Sequence, residues 1–347
     1  MSGPGDDGDD PAPLSVVVIC GGLGPERAVS LASGRAVTDA LNAAGHAARR
    51  LELPDTHEDA VDALLSLEWA DPDTGRPPGP FDVAFLALHG PFGEDGRVQT
   101  VLDRTGLPYT GSGVWSSLLT WKKTLAKQRW ADAELPTPGW IELPAGAHEH
   151  DLEEAEKNGE EPAHLSFPYP LVVKPDAGGS SVGVSVAAGP EELEACLERA
   201  YDHDGTALLE RYVAGTEWGV PVLGRDPLPP VRIRYSDGAG AGESNEAYPL
   251  FTTAAKYEDA RTTFAPAAKG AEAELVAGLA VAAAEACETD GLVRVDVKVD
   301  EDGVPWVLEV NSCPGFSPRS QVPKSIEYAG FRPGDVYATA CRMALGR

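Results

Sequence analysis

The chain has no apolar run approaching eighteen residues, which excludes a membrane-spanning helix. Its first residues, MSGPGDDGDDPAP, lack the basic start and apolar stretch of a signal peptide. Basic residues are scarce: 28 Lys and Arg face 55 Asp and Glu, for a formal charge of -27. Such a surface repels a phosphate backbone, so nucleic acid is excluded as a partner. The five cysteines (Cys20, Cys196, Cys287, Cys313 and Cys341) are odd in number, scattered, and form no C-x-x-C pair. That pattern excludes a disulfide framework and a zinc site, and points to free thiols in a reducing, cytoplasmic compartment.

What is present is enough apolar material, 42% of 347 residues, for two or three domains. Residues 1–13 carry too much Asp, Gly and Pro to bury a core and are expected to be a disordered tail. LSVVVIC (14–20), the break GGLGP and the helical pattern ERAVSLASGRAVTDALNAAG form a strand, loop and helix. FDVAFLAL (81–88) is a second buried strand, and the two together predict a parallel sheet covered by helices. WKKTLAKQRWADAEL (121–135) reads as one helix stopped by PTP. Strands around a glycine-rich loop, an acidic-capped helix and further short strands follow. The polar stretch from about 236 to 267 reads as a long functional loop. The order fits an N-terminal α/β domain (14–120) followed by two α+β lobes (121–213 and 214–347).

LVRVDVKVDEDGVPWVLEVN holds two alternating runs joined at Asp302-Gly303, a two-residue hairpin signal. Pairing Glu301 with Val304 sets Asp296 opposite Glu309 and Arg294 opposite Asn311, all on one face. Two carboxylates facing across a ladder repel unless a cation lies between them. Oxygen-only ligands suit Mg2+ completed by water and phosphate. A solvated face with incidental charges is the other reading of the hairpin alone.

In VVKPDAGGSSVGVS, Lys174 ends an apolar strand and a loop follows whose N–H groups and hydroxyls could cradle phosphate. A flexible turn explains the same residues, and the loop does not match a P-loop. GGLGPERAVS is only a partial dinucleotide fingerprint, with Glu26 at a helix start. His89 at a strand end, and Lys256 and Tyr257 inside the polar stretch, carry little meaning singly.

Taken in order, GGLGPERAVSLASGRAV, ALHGPFGEDGRVQTVLDRTGLPYTGSG, KPDAGGSSVGVS, ERYVAGTEW, AAKYEDARTTFAPA and RVDVKVDEDGVPWVLEVNSCPGFSPRSQVP resemble the D-alanine:D-alanine ligase family of the ATP-grasp superfamily. The matches cover nearly the whole chain after the tail. The resemblance implies that the two lobes form an ATP-grasp fold with a lid loop at about 236–267. It implies phosphorylation of one amino acid's carboxylate by ATP, then attack on the acyl phosphate by the amine of a second.

The site residues the resemblance implies are as follows. Asp296, Glu309 and Asn311 hold two Mg2+ ions, or Mn2+ in their place, against the ATP phosphates. Lys123, Lys174 and Lys256 contact phosphate, and the Ser180 and Ser181 loop closes over it. Glu210 and Val213 meet the adenine and Glu217 the ribose. Glu26 binds the first substrate's ammonium, linked with Ser180 and Tyr257, while His89 lines that pocket. Arg294 and Gly315 stabilise the oxyanion, and Ser320 takes the second carboxylate beside Gln321. Partners are small amino acids and, as is common in the family, a second copy of the chain.

Departures from the family pattern bear on the amino acids more than on ATP. Gly24-Pro25 replaces Ser-Ala, Trp121-Lys122 replaces Met-Asp, and Ala177 stands where the loop usually has Arg. Arg319 and Gln321 flank Ser320, where the family usually has an apolar residue after the serine. A cell-wall ligase, a ligase of specialised metabolism joining L-amino acids or a γ-glutamyl donor, and a nucleotide-binding regulator without turnover all remain open here.

Overall fold

A computed structural model describes residues 12–66, 81–158, 167–235, 248, 262–267 and 270–346. In the first unit β1 (Ser15–Gly21) leads to α1 (Arg27–Ala43), β2 (Ala47–Leu53), α2 (His57–Leu65), β3 (Val83–Leu86) and α3 (Arg97–Thr105). The sheet is parallel, in the order β2-β1-β3. The continuous apolar runs of β1 and β3 are buried on both faces, as the sequence pattern requires. Gly34 of α1 lies so close to β1 that a Cβ there would sit 2.4 Å from Cys20 Sγ. Glu26 follows β1 and His89 follows β3, both beyond carboxyl ends of parallel strands, where α/β sheets bind ligands.

Next come α4 (Val114–Trp121) and α5 (Lys123–Asp132). The single helix expected over 121–135 is broken at Lys122, whose φ of -90° and ψ of 104° are extended. The cause is tertiary: Lys122 bridges in β fashion to Ala177, and the Lys123 N–H donates to Asp176 O at 3.0 Å. The break docks α5 against the glycine-rich loop. Then follow β4 (Trp140–Pro144), α6 (Ala147–Asn158), β5 (Leu171–Pro175), β6 (Ser185–Ala187), α7 (Pro190–Tyr201) and β7 (Thr206–Arg211). They build an antiparallel sheet ordered β4-β7-β5-β6, with α7 packed over it through Leu193 and Leu197.

The third sheet takes β8 (Thr216–Leu223), β9 (Asp226–Pro227), β10 (Val231–Tyr235) and β11 (Thr262–Pro266), then α8 (Ala271–Ala286), β12 (Leu292–Val299) and β13 (Pro305–Asn311). Its order is β11-β10-β8-β12-β13, with β9 on β8. The end of the expected 236–267 loop is thus a strand, β11, held by antiparallel pairing to β10. The chain closes with α9 (Gln321–Ala329) and α10 (Pro333–Leu345). α10 returns to the first core, where Tyr337 packs edge-on against Phe85 and Phe316 at 5.6 and 5.5 Å.

The β12–β13 hairpin differs from expectation at its turn and agrees at its base. Asp300 N donates to Val304 O at 3.0 Å, which leaves a three-residue loop, 301–303, with Gly303 at φ 81° in place of the two-residue turn. A bulge between Asp296 and Val297, at which Leu308 has no partner across the ladder, moves the register by one. The two offsets cancel: Asp296 lies opposite Glu309 and Arg294 opposite Asn311.

Candidate active site

Two adjoining cavities meet at the glycine-rich loop and the end of β13. The first, about 850 Å³ and open at its mouth, is lined by Lys123, Lys174, Glu210, Val213 and Glu217, with Asp296 and Glu309 on its floor. Lys174 Nζ lies 2.6 Å from Glu210 Oε2, and Lys127 Nζ pairs with the other oxygen. Burial opposes ionisation of Glu210, yet the two ammonium groups outweigh it and hold the carboxyl below its usual range. Lys127 is wholly buried, donates to Thr137 Oγ1 at 2.6 Å and Pro138 O at 3.0 Å, and is pushed down to about 8 by that burial. Lys298, also buried, reaches the same cavity two residues beyond Asp296 and is likewise lowered by burial.

The loop between β5 and β6 forms one wall. Lys123 Nζ donates to Gly178 O at 2.8 Å, and Ser180 and Ser181 adopt left-handed φ values of 51° and 59°. Such backbone in residues with side chains is uncommon and concentrates at functional loops. At the base of the loop Lys122 Nζ lies 3.0 Å from Asp204 and 3.4 Å from Asp176, while Ala177 N–H donates to Asp204 at 2.9 Å. The residues that depart from the family pattern here therefore make their own clamp.

The second cavity, about 1060 Å³, lies between the carboxyl ends of the first sheet and the third sheet. Glu26, His89, Ser180, Arg294, Asn311, Gly315, Ser320 and Gln321 line it. The Ser180 hydroxyl donates to Glu26 Oε1. His89 Nδ1 lies 3.0 Å from Cys313 O and must donate to that carbonyl, so Nε2 accepts from the Ser33 hydroxyl at 2.9 Å. Burial lowers His89 to about 4, leaving a neutral ring with a defined tautomer. Arg294 grips Asp296 through two bonds of 2.7 and 2.9 Å.

The structure brings together Lys123, Lys174, Ser181, Glu210, Val213, Glu217, Asp296 and Glu309 in one cavity, and the amino-acid candidates in the other. Lys256 and Tyr257 lie outside the described residues. Three participants escaped the sequence reading: Lys127, Lys298 and Glu94. Lys127 follows Lys123 by four, a spacing that places both on one face of α5. Glu94 is buried, and its Oε2 accepts from Gly90 N–H at 2.6 Å. Burial, then the nearby Glu26 and Glu309, raise its carboxyl well above the usual range. The Asn311 amide fits best with its nitrogen 2.8 Å from Glu94 Oε1 and 3.1 Å from Cys313 O, which leaves its oxygen on the other side.

Among the described residues no group of three or more His, Cys, Asp or Glu is arranged to hold a metal ion. The donor set at β12–β13 is two carboxylates and an amide oxygen, which suits a hard cation whose remaining ligands are phosphate and water. Both carboxylates face the first cavity. No helix among the described residues is long and apolar enough to cross a membrane.

Family models match at both ends of the chain: D-ala D-ala ligase N-terminus over residues 15–112 and D-ala D-ala ligase C-terminus over residues 129–339. A D-alanine–D-alanine ligase of Halorhodospira halophila is 37% identical over 333 residues, 95% of this chain and 96% of its own. One from Marinomonas sp. is 33% identical over 317 residues, 91% and 90% of the two chains. The crystal structure of D-alanine–D-alanine ligase from Bacillus anthracis superposes with a TM-score of 0.75 at 30% identity, covering 96% of this chain and 98% of that one. The same enzyme complexed with ATP gives 0.74 at 28% identity over the same shares.

Proposed function

The chain belongs to the D-alanine:D-alanine ligase family, and from that premise we propose that it joins D-alanine to a second D-amino acid. It is an ATP-dependent ligase of the ATP-grasp type that forms a peptide bond with release of ADP. The observation that carries the finer reading is Glu26, held by the Ser180 hydroxyl, in a cavity that adjoins the one floored by Asp296 and Glu309.

In this reading ATP occupies the first cavity, with Lys123 and Lys174 at its phosphates and Glu217 toward the ribose. Glu210 holds Lys174 in place while Val213 lines the adenine end. Asp296, Glu309 and Asn311 would hold Mg2+, which supplies charge neutralisation at the phosphates. Glu26 receives the ammonium of the first D-alanine, positioned by Ser180 and flanked by neutral His89. A carboxylate oxygen of that D-alanine attacks the γ-phosphorus, the bond to the ADP oxygen breaks, and ADP leaves. The neutral amine of the second amino acid then attacks the acyl carbon. Arg294 and the Gly315 backbone face the oxyanion, and phosphate departs with the carbon–oxygen bond pair and takes the proton that the attached amine releases. Ser320 takes the second carboxylate. Lys256, for phosphate, and Tyr257, with Glu26 and Ser180, complete the proposal.

Action in the cytoplasm, where ATP is supplied, and assembly as a homodimer belong to the same proposal; light scattering reads the latter. The test of function is ADP release with Mg2+ and D-alanine, with the product mass recorded. A D-alanyl-D-alanine product supports the reading. ATP binding without ADP release in the presence of any amino-acid pair overturns it. Arg319 and Gln321 beside Ser320 favour a second reading, a ligase of specialised metabolism, which product masses from other amino-acid pairs would reveal.

A further inference from the structure

We propose that Ser33 is a positioning residue for peptide-bond formation, aiming the Gly315 N–H at the oxyanion, an inference that rests on the ligase reading above. Ser33 lies inside α1, is wholly buried, and is not among the residues lining either large cavity. Its hydroxyl nonetheless ties two other segments together. It donates to His89 Nε2 at 2.9 Å and accepts from the Phe316 N–H at 3.1 Å. His89 in turn donates from Nδ1 to Cys313 O at 3.0 Å. α1, the residues after β3 and the residues after β13 thus close into one ring of hydrogen bonds.

The ring brackets a single peptide unit. Cys313 O belongs to the peptide that joins Cys313 to Pro314, and the Phe316 N–H to the peptide that joins Gly315 to Phe316. The Gly315 N–H sits on the one peptide between them. On its amino side Pro314 holds φ at about −65°. On its carboxyl side Gly315 itself is the freest kind of backbone. A side chain cannot replace it there, because a Cβ at position 315 would lie 2.7 Å from Ser320 Oγ. The aim of this N–H must therefore come from its neighbours, and Ser33 supplies the hold on the Phe316 side.

The surroundings make that hold firm. Ser33, His89, Cys313 and Phe316 are all buried, so water does not compete for the bonds of the ring. The Phe316 ring is wedged edge-on against Phe85 at 5.1 Å. Arg294, the other group facing the oxyanion, is held separately by Asp296. A donor fixed before charge develops costs no reorganisation when the oxyanion forms, and Ser33 acts on one such donor alone.

The experiment gives the full chain Mg2+, D-alanine and ATP labelled with oxygen-18 in its β–γ bridge. Reversible formation of the acyl phosphate scrambles the label within the β-phosphate, while the dipeptide reports the second step. Ser33→Ala should lower dipeptide formation by about ten- to a hundredfold, less than the loss of about 10²–10³ for removing an oxyanion donor outright. Scrambling should persist, because phosphoryl transfer develops no oxyanion on the acyl carbon, and its ratio to dipeptide should rise. The KM for D-alanine should hold while kcat falls, the mark of an interaction made only in the transition state. General loss of packing would not separate the two steps. Ser33→Cys, whose thiol donates and accepts weakly, should fall between, and it carries the comparison should Ser33→Ala fail to fold. Scrambling and dipeptide lost together, or dipeptide formation untouched, overturns the inference while leaving the ligase. Neither scrambling nor ADP release from the unmodified chain with any amino acid sinks both.

Discussion

The Ser180 hydroxyl donates to the Glu26 carboxylate, joining the glycine-rich loop to the start of α1 across 154 positions of sequence. The contact spans two sheets and gives the two adjoining cavities, proposed for the first amino acid and for phosphate, a common boundary. Ser180→Ala removes one charge-assisted hydrogen bond, about 1.5–3 kcal/mol. The expected loss is about ten- to a hundredfold in kcat/KM for the first D-alanine. Ser180→Gly, which relaxes the left-handed backbone but also lacks the hydroxyl, should show the same loss in steady-state assays.

Glu309→Gln keeps the shape of the floor and removes a charge facing Asp296. ADP release should fall by about 10²–10³. The circular-dichroism melt should not drop, since cross-strand repulsion is relieved. Full activity would remove Glu309 from the proposed metal site.

Lys127→Met strips one of two cations from the buried Glu210. Breaking a buried pair from one side costs about 3–5 kcal/mol, visible as a lower urea midpoint. Adding Glu210→Gln should lower the midpoint further, because Lys174 then loses its carboxylate partner as well. The double variant should still bind ATP poorly.

His89 gives stability a pH dependence of known sign. Its folded value, about 4, lies below the ordinary histidine value of 6.5. Between the two the unfolded chain binds more protons, so stability rises with pH across that window and is fully present above it. Acidification through the window should remove about 3 kcal/mol, since each pH unit between the two values is worth about 1.4 kcal/mol. Urea unfolding at about pH 7 and about pH 4.5 should show this slope, and His89→Gln should flatten it.

Much of the site was legible because strands advertise their faces. The alternation in LVRVDVKV aligned Arg294 with Asp296 on one side, and the pairing with Glu309 followed although the turn is one residue longer. A bulge compensated, and no residue pattern marks a bulge whose skipped residue, Leu308, is as apolar as the paired Val307 before it. The helix break at Lys122 was illegible for a different reason. Nothing local disfavours a helix there; the extended backbone is imposed by pairing with Ala177, 55 positions away. Lys127 was hidden in the polar stretch KTLAKQRWAD, whose composition does not reveal which lysine faces inward. Glu94, in a loop rich in glycine, had no periodicity to read at all.

The return of α10 to the first core bears on how the chain acquires its shape during synthesis. Gly334 sits so close to α1 that a Cβ there would lie 2.2 Å from Ala40 O, and Tyr337 closes the aromatic cluster with Phe85. On the ribosome the parallel sheet emerges early, yet one of its faces waits for residues that emerge last. Until they arrive, Phe85 and the α1 surface under Gly334 stay uncovered, so the earliest unit to begin folding is the latest to be sealed.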